Sequence, residues 1–212
     1  MIEKIFICHW DKLSDRKKEL ISVLSEEKIF DYEFVCDYDK ENWEEKQIRK
    51  EFPRIFEIVE GYGRKLKPSE ISLCLKHIKI IREVAKKYNY ALVLEDDVIL
   101  CDNFLNEFSI SFHQLPNDWD ISWVGTCCGL HSPTIEGKRV YKMNGSRCTH
   151  AYLISNQGAK KILSELKSCN TGSDYFYNYL IEKFNLNNYW FEPALAIQNT
   201  NYETTIQNNI LY

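Results

Sequence analysis

Three consecutive carboxylates, Glu95-Asp96-Asp97, directly follow the apolar run Ala91-Leu92-Val93-Leu94 and precede Val98-Ile99-Leu100. An apolar run of this length reads as a strand covered on both faces. Unpaired carboxylates buried inside a sheet are costly, so these must lie where the strand emerges. In an open α/β sheet the carboxyl end of a strand is where ligands bind. Side chains alternate along a strand, which points Glu95 and Asp97 one way and Asp96 the other. A hard divalent cation, Mn²⁺ or Mg²⁺, relieves the repulsion of such a pair and takes substrate phosphates as further ligands. The spacing supports a metal held by Asp97, helped by Glu95 directly or through water, and bridging to a diphosphate. The alternative is that the triplet only ends a strand and caps a helix.

Other residues have two readings each. His77 lies on the inward side of a helix, beside Cys74 and Ile81, as a core histidine or a site residue. His150 sits on a strand, in Thr149-His150-Ala151-Tyr152, and faces either the sheet interior or a cleft. Asp174 opens a helix, where an acid serves the first turn, or stands at the mouth of the sheet as a base or a metal ligand.

The elements that must position these residues follow from periodicity. Ile2 to Cys8 reads as a strand and leads to His9-Trp10-Asp11; Ser14 caps a helix running to about Ser25. Tyr32 to Cys36 is a second strand, ending at Asp37, so the chain opens with a parallel crossover unit. A short helix around Trp43 to Lys50 precedes a loop through Gly61-Tyr62-Gly63. Ser69 caps the best helix, whose apolar positions from Ile71 to Tyr88 recur at helical spacing. After the carboxylates come a helix at Asn103 to Phe112, a strand at Trp119 to Thr126, a loop from Cys127 to Pro133 and a short strand at Val140 to Met143. A strand at Cys148 to Ile154, with Ser155 as cap, leads to a helix from Asn156 to about Lys167. An aromatic helix at Tyr175 to Phe184 and a strand at Tyr189 to Phe191 complete the domain. Residues 1–198 form one domain, and residues 199–212, rich in Asn and Thr, form a loop-like or mobile tail.

The 212 residues suffice for a full core. A net charge of -4 without a long basic run excludes general nucleic-acid binding. No stretch approaches the roughly 20 apolar residues of a membrane span, and Met1-Ile-Glu-Lys turns polar too quickly for a signal peptide. The expected compartment is the cytoplasm. The eight cysteines, with no C-x-x-C pair, are therefore expected as free thiols, without disulfides or a zinc site.

Several segments together resemble glycosyltransferase family 25, the group of lipooligosaccharide and collagen galactosyltransferases. Ile5 to Arg16 is similar to the family's opening strand and its "S-x-R" turn, and Tyr32 to Asp37 to its second strand. Ser69-Glu70-Ile71 through His77 resembles "G-E-I-G-C-x-x-S-H", and Leu92 to Val98 the "V-L-E-D-D" core. Thr149 to Lys160 resembles "A-Y-x-I-S-x-x-G-A-x-x-L", and Asp174 stands in its "x-x-D-x-x-L". The family's two glycines are Ser69 and Ser72 here, and its serine before the histidine is Lys76, placed to touch phosphate or to be solvated.

The resemblance implies a GT-A-type, Rossmann-like α/β domain with a mixed, mostly parallel central sheet flanked by helices. It implies inverting transfer of a hexose, galactose or glucose, from a UDP-sugar to a hydroxyl of a glycan, a lipid-linked sugar such as lipooligosaccharide, or a protein. Asp97 and Glu95 would hold Mn²⁺ or Mg²⁺. Asp174 would be the base or a third ligand, with His150 as the fallback for either. Asp37 would bond the uracil or ribose, and Glu70, His77 and Asp96 would border the donor. The loops Gly61 to Lys67 and Cys127 to Gly145 would choose the acceptor. The competing expectations are a catalytically silent GT-A domain that holds a nucleotide-sugar or glycan, and a nucleotidyltransferase. The second is disfavoured because the loop His9 to Ser14 lacks glycine.

Overall fold

The computed structural model describes residues 2–202. Most of the tail, residues 203–212, therefore lies outside the described residues, as does any statement about its mobility. The chain opens with β1 (Ile5–Cys8), α1 (Ser14–Glu26) and β2 (Tyr32–Val35), the expected parallel crossover. α2 (Glu45–Glu51) and a two-stranded hairpin, β3 (Ile58–Val59) with β4 (Arg64–Lys65), lead to α3 (Pro68–Lys87). β5 (Tyr90–Glu95), a turn at Asp96-Asp97 and β6 (Val98–Leu100) follow, then α4 (Phe104–Phe112), β7 (Ile121–Trp123), β8 (Gly125–Thr126) and β9 (Val140–Lys142). The described chain closes with β10 (Ala151–Ser155), α5 (Asn156–Ile162), α6 (Ser173–Lys183), β11 (Asn188–Phe191) and β12 (Ala196–Gln198).

Seven strands form the central sheet in the order β2-β1-β5-β10-β7-β11-β9. The sheet is mixed: β5 is parallel to β1, which is parallel to β2, and β11 is parallel to β7, while the other three ladders are antiparallel. A small second sheet, β6-β12-β8, sits at the carboxyl end of β5. The expected strand from Trp119 to Thr126 is thus two pieces serving two sheets.

Period-two alternation sorts the strands between two cores. Phe6, Cys8, Ala91, Val93, Tyr152 and Ile154 face α3, α5 and α6; Ile5, Ile7, Leu92, Leu94, Ala151 and Leu153 face α1 and α4. α3 buries Ile71, Cys74, Leu75, Ile78, Ile81 and Val84 against the first core. Each such large aliphatic side chain contributes about 1.5–3 kcal/mol on burial, against about 1 kcal/mol for a terminal cap, so packing fixes where α3 lies.

Three expectations about ends and sulfurs change. α1 and α3 are not capped by Ser14 and Ser69, which lie inside their first turns; at α3 the Glu70 carboxylate reaches back to accept from the Lys67 N–H at 2.6 Å. Ser155 does cap α5, accepting from the Gly158 N–H at 3.0 Å. Cys127 and Cys148 are disulfide-bonded, with Cα atoms 6.3 Å apart, and the other six cysteines are free thiols. The pairing joins segments that the sheet brings together, and no local spacing announces it. Among the described residues no helix is long and apolar enough to cross a membrane.

Candidate active site

β1 and β5 run parallel in register, Cys8 beside Glu95, so both end at the same edge of the sheet. A pocket opens there, lined by β1-end residues (His9, Trp10), Arg16 of α1, Ser69, Ser72 and Lys76 of α3, the triplet Glu95-Asp96-Asp97, and Gln198. β2 and β5 flank β1 on opposite sides, so the strand order reverses between β1 and β5, the setting in which α/β sheets bind ligands.

The triplet's carboxylates have different surroundings. β5 ends at Glu95, and alternation sends that residue toward α3, where His77 Nε2 is 3.3 Å from its Oε1. Asp96 and Asp97 belong to the following turn. Asp96 is nearly saturated: His9 Nδ1 lies 2.7 Å from one oxygen and Arg16 donates to the other at 3.2 Å. Asp97 accepts on Oδ2 from Gln198 Nε2 at 2.9 Å, and its Oδ1 is buried without a partner.

The electrostatics follow these contacts. Burial, and then the Glu95 charge, push the Asp97 carboxyl up to about 6. Burial opposes ionisation of Glu95 as well, but the His77 imidazole outweighs it and holds that carboxyl below its usual value. Burial resists charge on His77, yet Cys8 and Glu95 together push it up to about 10. His77 Nδ1 is also 3.0 Å from the Tyr152 hydroxyl, itself 2.6 Å from that of Tyr177. His77 therefore braces Glu95 from behind and does not line the pocket.

The remaining expected site residues divide. Asp174 lies in the first turn of α6, accepting from the Thr149 N–H at 2.7 Å. Burial and the nearby Glu95 charge raise its pKa, and it does not line the pocket. His150 precedes β10 and is buried; an added Cβ on Gly125 would lie 2.3 Å from its Nε2, so Gly125 makes room for the ring. Neither nitrogen of His150 has a hydrogen-bond partner, and burial lowers its pKa.

Asp37 does not line the pocket: it is half-exposed and paired with Lys79. Glu70 does not border it either, because the α3 N-terminus and the Arg64 fork, at 2.7 and 2.9 Å, occupy its carboxylate. Lys76 is not solvated. It is buried, donating to the His9 carbonyl and pairing with buried Asp39. Ser69 and Ser72 do face the pocket.

Reasoning from sequence left His9, Arg16, Asp39 and Gln198 out of the candidate set. For His9 and Arg16 the signal was present: they follow the end of the first strand, where ligands gather. Gln198 had no local signal, because its place depends on β12 pairing with β6.

A mixed seven-stranded sheet with helices on both faces and a pocket at the strand ends is a GT-A-type α/β fold. The crystal structure of a glycosyltransferase involved in the glycosylation of the major capsid of PBCV-1 superimposes with a TM-score of 0.50 at 13% identity, over 93% of this chain and 94% of that one. Mouse xyloside xylosyltransferase 1, in its apo form, is more distant, with a TM-score of 0.38 at 13% identity over 87% of this chain and 63% of that one. No functionally curated protein matches the chain. The sequence profile of glycosyltransferase family 25 (LPS biosynthesis protein) matches residues 2–177, and the chain belongs to that family.

Proposed function

We propose that the chain is a metal-dependent, inverting hexosyltransferase that moves galactose or glucose from a UDP-sugar to a hydroxyl of a glycan, lipid-linked sugar or protein. The observation that carries this reading is the Asp97 carboxylate: one oxygen buried and bare, its pKa pushed up to about 6, at the rim of a pocket it shares with Glu95. An unpaired buried carboxylate is an unfavourable arrangement that a bound cation reverses. Two carboxylates, one braced by His77, are the donor set that Mn²⁺ or Mg²⁺ prefers. Asp97 and Glu95 would hold the divalent ion, which would supply Lewis-acid stabilisation of the charge on the departing diphosphate.

The chain's own residues supply the rest. His77 fixes the rotamer of Glu95 at 3.3 Å. Asp96 is committed to His9 and Arg16 and shapes the floor instead of binding a ligand. Ser69 and Ser72 present hydroxyls to the donor from the first turns of α3. Asp174 stands outside the pocket lining, so its role as the base requires the bound acceptor to reach it; its raised pKa would make it a stronger base than a solvated aspartate, and the Thr149 N–H holds its carboxylate. His150, its ring buried over Gly125, packs beside the Glu95 charge.

The test is binding and slow hydrolysis of a panel of UDP-sugars with and without Mn²⁺. Metal-dependent cleavage of UDP-galactose or UDP-glucose is the expected result and names the donor. Binding without cleavage, with acceptors supplied, would identify a silent domain. Absence of nucleotide binding would overturn the proposal. Asp174→Asn separates its two roles: turnover falls with Mn²⁺ affinity retained if it is the base, whereas lost affinity makes it a ligand.

A further inference from the structure

Asp97 is held by a dipeptide a hundred residues further along. Gln198 Nε2 donates to its Oδ2 at 2.9 Å, and the Asn199 N–H donates to its main-chain carbonyl at 2.7 Å. The geometry behind both bonds is the β6–β12 ladder, in which Gln198 is the register partner of Val98, the residue after Asp97. β12 is clamped on its other side by β8. The carboxylate is thus gripped at one oxygen and at its backbone, while Oδ1 is left buried and bare.

The chemistry of the grip matters. Asp96, one residue earlier, is held by Arg16 and His9, groups that neutralise a carboxylate or can do so. Gln198 is a neutral amide. It fixes the direction of Asp97 without cancelling its charge, which stays available to a cation. A partner that orients a ligand while leaving its charge intact is what an outer-shell residue of a metal site provides.

We infer that Gln198 is a positioning residue for the metal site: its amide sets the Asp97 carboxylate so that Oδ1 is the ligating atom, making the end of β12 part of the donor machinery. The inference rests on the metal reading of Asp97 given above. It also explains why a residue with no local motif lines the pocket beside the triplet.

The test is Mn²⁺ affinity measured directly, by electron paramagnetic resonance of the free ion, in the protein without nucleotide. Gln198→Met keeps the length of the side chain and removes the donor. The expected result is roughly 10–100-fold weaker Mn²⁺ binding, with the circular dichroism and the metal-free melting temperature close to wild type. A purely structural Gln198 would instead lower the melting temperature and leave Mn²⁺ affinity unchanged, which overturns the inference. Asp97→Asn is measured in parallel. If wild type binds no Mn²⁺, or Asp97→Asn binds as well as wild type, the metal reading itself fails and the inference goes with it. If Asp97→Asn loses binding while Gln198→Met keeps it, only the role of Gln198 fails. Should Gln198→Met fail to fold, Gln198→Leu serves in its place, judged by the same two readouts.

Discussion

On the β1 side of the pocket, Asp96 and Asp39 each use both carboxylate oxygens: Asp96 with His9 and Arg16, Asp39 with Lys76 and the Asp11 N–H. Around Glu95 the terms differ. Asp97 keeps one oxygen bare, His150 has two unpartnered nitrogens, and the pKa values of Asp97 and Asp174 are pushed up. Both sides contain buried charge, and burial alone would penalise both. The carboxylates of the first side are compensated within the protein, although His9 Nε2 there is buried without a partner; on the second side Asp97 Oδ1 has none, and the proposed metal would answer it. A buried group whose charge is unanswered is a candidate for chemistry, and a paired one a candidate for architecture.

The strongest way to break this comparison is to remove a charge from the compensated side. Asp39→Ala leaves the Lys76 ammonium buried with only the His9 carbonyl, and should cost roughly 3–5 kcal/mol in urea denaturation. Adding Lys76→Met to that variant should recover most of the loss, because replacing both partners of a buried pair by apolar groups is often near neutral. A single-variant loss below about 1 kcal/mol would mean that the pair carries no such burden.

The uncompensated side should respond in the opposite sense. Asp97→Asn should cut metal-dependent donor cleavage by about 100-fold or more, yet leave the metal-free protein as stable as wild type or more so. The pH dependence follows from the sign of the shift. A carboxyl raised from 3.8 to about 6 binds its proton more tightly in the folded state. Metal-free stability should therefore fall as pH rises from about 4 to 6, then level off, and Asp97→Asn should lack that fall. Melts across this range, without metal, decide it; a variant that keeps the same slope would assign the titration elsewhere.

How much of this was legible in the sequence depends on the range of the interaction. The parallel opening unit, the long α3 and the strand running into Glu95 are local patterns, and the structure has them. The cap of α3 moved by two residues because Glu70, not Ser69, satisfies its terminus, and that of α1 moved by one, to Leu13, which makes no side-chain cap bond. Asp96 points away from Glu95 as alternation predicts, toward Arg16 of α1, although β5 stops at Glu95 and a turn follows. The Cys127–Cys148 bond, the Asp39–Lys76 pair and the Gln198 contact join residues 21, 37 and 101 positions apart, which no window of sequence reports. Asp37 looked like the acid at the end of the second strand, but the acid that turns inward is Asp39.

A smaller effect separates packing from chemistry at His150. Gly125→Ala would place a Cβ 2.3 Å from His150 Nε2, and overpacking of this kind costs about 1–3 kcal/mol. Combining it with His150→Ala should be less destabilising than the sum of the two single changes, as the collision is then gone. Thermal melts of the four proteins measure the coupling. Strict additivity would show that the ring moves aside freely.

The smallest effect tests where the compensated side ends. Glu70 accepts from the Lys67 N–H and the Arg64 fork, and those hydrogen bonds, Arg64 first, hold its carboxyl below the usual range although burial works against them. Lys67 caps α3 and Arg64 lies on β4 beside it, and neither lines the pocket. Glu70→Ala should cost about 1 kcal/mol, the scale of a lost helix cap beside a partly exposed ion pair. UDP affinity should stay within about twofold of wild type, because the cap acts on α3 as a whole and Ser69 and Ser72 remain held by the packing of Ile71, Cys74 and Leu75. Calorimetric titration with UDP reads this directly. A drop in affinity larger than the drop in stability would show that the first turn of α3 is set by its cap rather than by its core, and Glu70 would then belong with the residues that serve the ligand.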